Sequence, residues 1–549
     1  MKKYYLLLSL LLLALPGIRA EAQVLPRYFI YFKDKANSTF SVQNPDAFLS
    51  QRAIARRQRQ GIAITTSDLP VNSTYIQAVQ QTGAKVFFTS RWFNAALLEA
   101  TDAQWAAIKA LPFYKSTERN LPIAPASTPG VARLGAVHDK FGAQETIDYG
   151  QTQGQLAMLG IPAIHEKGFH GEGMLVAVLD AGFPKANEVG YLKPVFDSKR
   201  MLDTYDFISR KTGVYDNHPH GLNCLSIIGA EQPGLMVGAA YKASFALYRT
   251  ENDFSETPYE EATWIMAAER ADSLGVDIIS SSLGYNLFDN PVYDYTTQQL
   301  DGRTALISKA ALYAARRGIL VVNSAGNSGN DPWKLVTPPA DADSILAIGA
   351  TFSNRSYAPF SSIGPTTDGR IKPDVSAQGV GTTIGNSTGG ATSGSGTSFS
   401  APLIAGMAAL LWQEFPYLTA QQLIKVIKQA GDKAANPDNL LGYGIPTIQK
   451  AEELVRQTYA PLATEPGELV SVELYPNPTR EEVYLRFGNN QVPGATDAQI
   501  LSTAGVSLTT AMPVTQANVR LPVGMLPAGL YFVKITTPQG VRVLKFLKY

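Results

Sequence analysis

Asp180, His220 and Ser398 are the residues of this sequence whose types and surroundings point to chemistry. A serine hydroxyl is a poor nucleophile at neutral pH. It needs a base to accept its proton, and the base needs a carboxylate to fix its tautomer. Asp180 follows an apolar run, whereas His220 and Ser398 each stand just before an apolar helical pattern. The sequence therefore predicts acyl transfer in which Asp180 orients His220 and His220 activates Ser398.

The intermediate of acyl transfer carries a negative oxygen, which must be met by hydrogen-bond donors. The backbone N–H of Ser398 is the first predicted donor. The side-chain amide of Asn327, at the end of the run Asn323-Ser324-Ala325-Gly326-Asn327, is the predicted second donor. A turn is the alternative interpretation of Asn327, because asparagine within Gly-Asn-Ser-Gly commonly adopts a left-handed turn conformation.

The elements that must position these residues are buried strands alternating with helices. The apolar runs cover residues 174–179, 244–248, 276–279, 319–322 and 345–348, with helical patterns at 258–274 and 304–317 among those between them. This alternation predicts an α/β fold with a doubly wound, mostly parallel sheet. Ligands bind such a sheet at the carboxyl ends of its strands, where Asp180 and Asn327 are expected.

Five motifs in this order resemble those of the subtilisin-like serine protease family, the subtilases or peptidase family S8. They are Asp180-Ala181-Gly182, His220-Gly221, Ser282-Leu283-Gly284, Ala325-Gly326-Asn327 and Gly396-Thr397-Ser398-Phe399-Ser400-Ala401-Pro402. The resemblance covers roughly residues 149–456 and implies a secreted serine endopeptidase acting on proteins and peptides. It implies that Ser282, Leu283 and Gly284 hold the substrate backbone. No cofactor is expected to be required, and structural calcium stays open with no ligands assigned.

Three residues depart from the family pattern. Ala181 and Leu222 stand where subtilases usually have serine or threonine, and Phe399 replaces a common methionine. None of these changes removes a catalytic atom, but Leu222 alters the hydrogen bonding expected beside His220.

The flanking sequence predicts further domains. The predicted organisation is a signal peptide at 1–22, a propeptide-like α+β domain at 23–120, a linker or processing region at 121–148, the catalytic domain at 149–457, a linker at 458–469 and a β-sandwich at 470–549. The first domain resembles the inhibitory propeptides of subtilases, and this resemblance implies that it is an intramolecular inhibitor. The last, through Tyr475-Pro476-Asn477-Pro478, Gly529-Leu530-Tyr531 and the terminal Lys545-Phe546-Leu547-Lys548-Tyr549, resembles a type IX secretion sorting domain of Bacteroidetes and implies contact with the export machinery.

Composition narrows the range of partners. With 47 Lys and Arg against 46 Asp and Glu, the chain has no basic field for nucleic acid. Beyond the N-terminal run no apolar stretch approaches the roughly 20 residues of a membrane span. The single cysteine, Cys224, excludes an intramolecular disulfide and is predicted to be a small core residue whose position would make the enzyme sensitive to mercurials. We expect a protein that is secreted or attached to the cell surface.

Parts of the sequence also fit other interpretations. A catalytically silent surface protein could use the same fold for binding or adhesion, and an esterase or peptide ligase would need the same nucleophile. His218 is a rival base, but only His220 is followed directly by glycine and the helix. The pattern Gly385-Asn386-Ser387-Thr388-Gly389 resembles a nucleophile elbow but lacks the helix that should follow. A zinc site of His218, His220 and Cys224 lacks a fourth ligand.

Overall fold

The computed structural model describes residues 25–124, 147–459, 472–488, 491–492, 494–502, 507–537 and 540–549. The predicted signal peptide lies outside the described residues, as do most of the predicted processing region and most of the 458–469 linker. The chain divides into two compact units between Leu454 and Val455. Within the described ranges, no helix has both the length and the apolar character needed to cross a bilayer.

The propeptide-like part of the first unit, residues 25–124, is a small α+β structure. Its elements are β1 (Arg27–Phe32), α1 (Gln51–Arg59), α2 (Ser73–Gln81), β2 (Lys85–Ser90), β3 (Ala95–Glu99), α3 (Asp102–Lys109) and β4 (Tyr114–Thr117). The strands form an antiparallel sheet in the order β2-β3-β1-β4. Its core contains Ile30, Leu98, Val79 of α2 and Ile108 of α3. Helix α1 packs on the next part of the chain instead.

A seven-stranded parallel sheet forms the centre of the first unit. Its strands are β5 (Leu175–Asp180), β6 (Met201–Asp206), β9 (Ser244–Arg249), β10 (Ile278–Ser281), β11 (Leu320–Ser324), β12 (Leu346–Thr351) and β13 (Val375–Gln378); the short strands β7 (Glu231–Gln232), β8 (Met236–Val237), β14 (Thr382–Gly385) and β15 (Ala391–Gly394) pair outside it. The order β13-β12-β11-β10-β5-β9-β6 confirms the predicted doubly wound α/β class. Strand β5 is buried throughout.

Helices cover this sheet. They are α4 (Gln153–Met158), α5 (Ile161–His165), α6 (Lys193–Asp197), α7 (His220–Gly229), α8 (Pro258–Leu274), α9 (Leu306–Arg316), α10 (Thr397–Glu414), α11 (Ala420–Gln429) and α12 (Ile448–Thr458). Helix α7 packs against α10, and α8 packs against α9. The sequence bounds α8 as predicted, because Thr257 and Glu260 form a capping box and Gly275 ends the helix with φ 93°.

The propeptide-like part and the sheet domain share one hydrophobic core. Phe29, Trp92 and Leu97 pack in the same cluster as Trp264 of α8 and Ile307 of α9. A buried ionic cluster lies beside this core: Asp272 of α8 is fully buried and pairs with three arginines of the propeptide-like part, Arg56, Arg57 and Arg91. Pairing lowers the cost of burying so many charges.

The second unit is a small β-sandwich. One antiparallel sheet has the order β16-β17-β20, with β16 (Val472–Tyr475), β17 (Glu482–Phe487) and β20 (Asn518–Pro522); the other has the order β19-β18-β21-β22, with β18 (Thr496–Leu501), β19 (Met512–Val514), β21 (Gly529–Thr537) and β22 (Gly540–Lys548). Leu485 of the first sheet and Ile500, Val533 and Phe546 of the second lie in one core.

Candidate active site

Asp180 ends β5 and lies at the centre of the site. Its side chain is fully buried. Oδ1 accepts hydrogen bonds from the Ala181 N–H at 2.8 Å and from His220 Nδ1 at 2.7 Å. Oδ2 is buried and has no hydrogen-bond partner among the described residues. Ala181, one of the departures from the family pattern, has no hydroxyl to donate to it.

His220 is the first residue of α7, and its ring is one-quarter exposed. Gly221 permits the close approach of this helix to β5, because a methyl group there would lie 2.5 Å from Gly182 O. The rival base, His218, does not contact Asp180; its Nδ1 accepts the His220 N–H at 3.3 Å. Of the two histidines, His220 is therefore the one oriented by a carboxylate.

Ser398 is the second residue of α10 and is 8% exposed. Its carbonyl cannot accept the usual helical hydrogen bond, because Pro402 four residues later has no N–H. Two side chains take the place of that amide: Ser282 Oγ donates to Ser398 O at 2.9 Å and Cys224 Sγ donates at 3.4 Å. Cys224 Sγ also lies 3.9 Å from His220 Nδ1. The Ser398 hydroxyl itself donates to Ser282 O at 3.5 Å, and Cys224 connects the Ser398 carbonyl with the hydrogen-bonded pair of Asp180 and His220.

Asn327 lies beside the N-terminus of α10. Its Oδ1 accepts from the Thr397 N–H at 2.9 Å and from Thr397 Oγ1 at 3.0 Å. A methyl group at Gly396 would lie 3.6 Å from Asn327 Nδ2 and 3.7 Å from the Ser398 nitrogen. The two predicted oxyanion donors therefore border the same small space, which the absence of a side chain at Gly396 leaves open.

The segment Ser282 to Gly284 follows β10 directly. Asn323 Nδ2 donates to Leu283 O at 2.9 Å, and a methyl group at Gly284 would meet Thr337 Oγ1 at 2.1 Å, so the segment is held close to its neighbours. The Ser282 hydroxyl bonds to Ser398 O. This contact was not predicted from the sequence, because it depends on how β10 and α10 meet.

A cleft of about 510 Å³ opens beside Asp180 and His220. Besides these two residues, its lining includes Ala181, His218, Leu283 and five carboxylates, Glu251, Asp253, Glu256, Glu260 and Asp289. Burial raises the pKa of Glu251 to about 8 and that of Glu256 to about 7. Sequence reasoning missed this acidic wall, although the stretch 251–261 contains five acidic residues and offered a signal.

The described residues contain one cluster of potential metal ligands, Asp180, His220 and Cys224. The 2.7 Å contact between Asp180 Oδ1 and His220 Nδ1 is a hydrogen bond that fixes the tautomer of the ring. His218, a member of the zinc set considered from the sequence, does not belong to this cluster. The geometry fits the orientation of a catalytic base.

The pH dependence of activity should report the charge of His220. Burial lowers the pKa of its ring, but the Asp180 carboxylate more than offsets this effect, so the pKa is raised well above 6.5. A protonated ring cannot act as a base, so kcat/KM should fall about tenfold per pH unit below this pKa, with a midpoint above pH 6.5. A midpoint at or below 6.5 would contradict the geometry.

The matched variant for this pH profile is Asp180→Asn. It removes the charge that raises the pKa of His220, so the acid limb should move to lower pH while the rate falls by about 10⁴, the loss known for the same change in another serine protease. Burial and the charges of Asp289 and Glu261 raise the pKa of Glu256 to about 7, and Asp180 is not among these causes, so an acid limb that does not move in Asp180→Asn belongs to Glu256 and not to His220.

The buried Asp180 hydrogen-bonds to His220 beside a parallel α/β sheet, and Ser398 lies at the start of a helix that packs on the helix of His220, which is the arrangement expected of a serine hydrolase. Family models match three parts of the chain: the subtilase family over residues 171–444, a peptidase S8 propeptide domain of Bacteroidota over 27–131, and a secretion system C-terminal sorting domain over 473–548.

Curated relatives agree with these matches. Subtilisin of Bacillus pumilus is 30% identical over 283 residues, which are 51% of this chain and 89% of that protein. Serine protease AprX of Bacillus subtilis is 30% identical over 307 residues, which are 50% of this chain and 65% of that protein. Among solved structures, MycP1 from Mycobacterium smegmatis is similar with a TM-score of 0.45 and 23% identity, covering 59% of this chain and 89% of that one.

The chain belongs to the subtilase family of serine endopeptidases. It also contains a propeptide domain and a C-terminal sorting domain, and the latter indicates export. A catalytically silent adhesion protein is not favoured by these findings.

Proposed function

We propose that the chain cleaves internal peptide bonds of proteins through an acyl-enzyme, with Ser398 as nucleophile, His220 as base and then acid, and Asp180 as the group that orients His220. The observation that carries the proposal is the hydrogen bond between the buried Asp180 and His220 Nδ1. It leaves Nε2 of the same ring as the nitrogen that accepts the Ser398 proton.

The reaction runs in two halves. Ser398 Oγ attacks the substrate carbonyl carbon, its proton passes to His220, and the negative oxygen enters the space bordered by Asn327 Nδ2 and the Ser398 N–H. His220 then gives the proton to the leaving amine, which breaks the C–N bond and leaves an ester on Ser398. Water, activated by His220, hydrolyses that ester and restores the free hydroxyl.

The segment Ser282 to Gly284 is proposed to hold the substrate backbone. The hydroxyl of Ser282 already bonds to Ser398 O, and the carbonyls of Ser282 and Leu283 accept from Ser398 Oγ and Asn323 Nδ2. A substrate strand is proposed to use the main-chain hydrogen-bonding capacity that remains. Leu283 lines the cleft and contributes an apolar surface beside the backbone of the bound peptide.

A fluorophosphonate probe, followed by mass spectrometry and a casein digestion assay, tests this proposal. Labelling at Ser398 together with digestion supports a serine endopeptidase, whereas absence of both after removal of the propeptide would overturn it. Matched ester and peptide substrates separate hydrolysis of peptides from an esterase, which would cleave only the ester. A peptide ligase would instead yield longer products when an amine acceptor is supplied.

Loss of the second oxyanion donor should lower the rate of chemistry. Asn327→Ala should reduce kcat by about 10²–10³ with little change in KM, a magnitude known for the equivalent amide in a subtilisin. Asn327→Asp is the matched variant, because it keeps Oδ1 for Thr397 and removes the Nδ2 donor. A kcat within about threefold of the parent in Asn327→Asp would exclude the oxyanion role.

The proposed mechanism uses only groups of this chain and requires no cofactor. Incubation with EDTA should therefore leave kcat/KM at 25 °C unchanged. Structural calcium would appear as a lower unfolding temperature after chelation with the rate per folded molecule preserved. Loss of the chemical step itself, restored by a divalent ion, would contradict the mechanism.

We also propose that the propeptide domain inhibits the enzyme of its own chain, that the C-terminal domain is recognised by the export machinery, and that the product is secreted or attached to the cell surface. The shared core and the buried Asp272 cluster support the first proposal, because they fix the propeptide to helices α8 and α9. Mass analysis of material outside the cells would show which domains the exported protein retains.

A further inference from the structure

The propeptide inserts one arginine, Arg119, into a pocket of the catalytic domain. The guanidinium carbon lies 4.4 Å from the ring centroid of Tyr295 and 5.7 Å from that of Phe288. Nη1 donates to the main-chain carbonyl of Tyr293, and Nη2 lies 4.0 Å from Glu261 Oε2. We call the four residues of the catalytic domain, Glu261, Phe288, Tyr293 and Tyr295, the arginine cage.

Glu261 gives the cage its charge. Its side chain is fully buried, and it accepts from Tyr295 Oη at 2.9 and 3.1 Å and from the Ile307 N–H at 3.2 Å. Burial raises the pKa of Glu261 to about 7, against the lowering effect of Arg119. In the described part of the chain, Arg119 is the cation paired with this carboxylate. Without Arg119 the Glu261 side chain either takes up a proton or remains an unpaired carboxylate, and in both states it lacks the ionic contact that a guanidinium supplies.

The geometry of the cage selects a guanidinium. A planar cation can stack on the Tyr295 ring while one nitrogen bonds to the Tyr293 carbonyl and another faces Glu261. A lysine ammonium is a compact point charge and cannot make all three contacts at once. Asparagine, glutamine and other neutral groups would leave Glu261 unpaired.

Two residues of the cage are next in sequence to residues that line the cleft beside Asp180 and His220. Glu260 and Asp289 line the cleft, and their neighbours in sequence, Glu261 and Phe288, belong to the cage. The two loops that carry these residues are joined, because the Glu256 N–H donates to Asp289 Oδ2 at 3.0 Å and the Asp289 N–H donates to Glu256 O at 2.9 Å.

We propose that the arginine cage is a second recognition site of the mature endopeptidase, which binds an arginine side chain of a protein substrate once the propeptide has left. In the unprocessed chain, Arg119 of the propeptide occupies the cage until the propeptide is removed. This inference rests on the proposed function, since removal of the propeptide empties the cage and a protein substrate refills it.

Binding of a guanidinium to the cage can be measured in the inactive full chain, without any proteolysis. In a Ser398→Ala background, Arg119→Ala empties the cage while the propeptide stays attached. N-ethylguanidinium should then raise the unfolding temperature, and ethylammonium at equal ionic strength should not. The Ser398→Ala parent, whose cage is filled by Arg119, should not respond, and neither should the emptied chain with Glu261→Gln. Equal responses in parent and emptied chain would overturn the proposal.

The substrate role is tested with the processed active enzyme after removal of the released propeptide. Quenched fluorescent peptides carry one arginine, or the neutral isostere citrulline, at successive positions on either side of the cleavage site. At one or two positions outside the cleft, the peptide with arginine should have a kcat/KM about fivefold to tenfold higher than the peptide with citrulline. The difference should lie in a lower KM, with kcat unchanged. Glu261→Gln should bring this ratio to about one, and Phe288→Leu, which removes only a stacking ring, should lower it.

A ratio of one at every position in the parent enzyme would show that the cage serves the propeptide alone, and would overturn the substrate role without needing any variant. A chain that cleaves none of the peptides would refute the proposed endopeptidase function instead. In that case the guanidinium measurement on the inactive chain still tests whether the cage binds a guanidinium. Failure of the proposed endopeptidase function and failure of the cage proposal can therefore be distinguished.

Discussion

Replacing Ser398 by alanine should abolish proteolysis and leave the fold intact. The change removes the only oxygen that forms the ester intermediate, whereas the hydrogen bond of Asp180 to His220 does not involve Ser398. The loss in kcat should be about 10⁶, a size known for the corresponding change in a subtilisin. Casein digestion measures the rate, and circular dichroism checks the fold. The full chain should also keep its propeptide covalently attached if processing is carried out by the same site.

Ser400→Ala is the matched control for this variant. Ser400 is in the same turn of α10, is fully buried, and donates its hydroxyl to Thr397 O at 2.9 Å. Its replacement should cost about 1 kcal/mol of stability and leave kcat within a few-fold of the parent. Digestion by Ser398→Ala at a rate near that of Ser400→Ala would show that the nucleophile is another group.

Removal of the buried Arg56 should release the propeptide far more readily than removal of the exposed Arg59. The Arg56 side chain is 1% exposed and reaches Asp272 and the carbonyls of Val276 and Arg317. Asp272 keeps Arg57 and Arg91 when Arg56 is removed, so the cost comes from the lost side-chain packing and from the carbonyls of Val276 and Arg317 that lose their donor, and it should be about 3 kcal/mol. The Arg59 side chain is 39% exposed and lies 3.4 Å from Asp277, and such a pair contributes about 0–1 kcal/mol.

Digestion of the propeptide by thermolysin, in the Ser398→Ala background, measures this difference. Arg56→Ala should accelerate digestion by about 10²-fold or more, because each 1.4 kcal/mol changes the open fraction about tenfold. Arg59→Ala should accelerate it by about fivefold at most. The two variants remove the same charge from the same helix, α1, so equal rates would mean that the Asp272 cluster contributes no more to attachment than a surface pair.

The sequence predicts the parts of the fold that are locally encoded. Strand β5 is buried along its whole length and forms an apolar run, and the capping box and terminal glycine of α8 mark its two ends. Strands β6 and β13 were not predicted. Strand β6 lies at the edge of the sheet and is largely half-buried, so its sequence is mixed. Strand β13 has four residues, too few for a periodic pattern.

The residues of the site could likewise be predicted only where a local sequence pattern marks them. The motifs around Asp180, His220 and Ser398 could be found because each has a local signature and all occur in a known order. The contact of Cys224 with Ser398 O could not be found, because it exists only where α7 meets α10. The partners of Arg56 could not be predicted from the sequence either. Its helix is visible in the sequence, but Asp272 lies 216 residues further along the chain.

The order of the strands also has a kinetic consequence. Strand β5 pairs with β10, whose residues follow it by about one hundred positions, as in the register Val176 with Ile278. Closing a chain segment of that length costs entropy before the pairing is formed, so a sheet of this connectivity nucleates slowly. The propeptide packs on α8 and α9, the crossover helices that lead into β10 and β11. It therefore holds in place two segments that must dock before β10 and β11 can join the sheet, and we expect the mature enzyme without the propeptide to refold more slowly than the full chain.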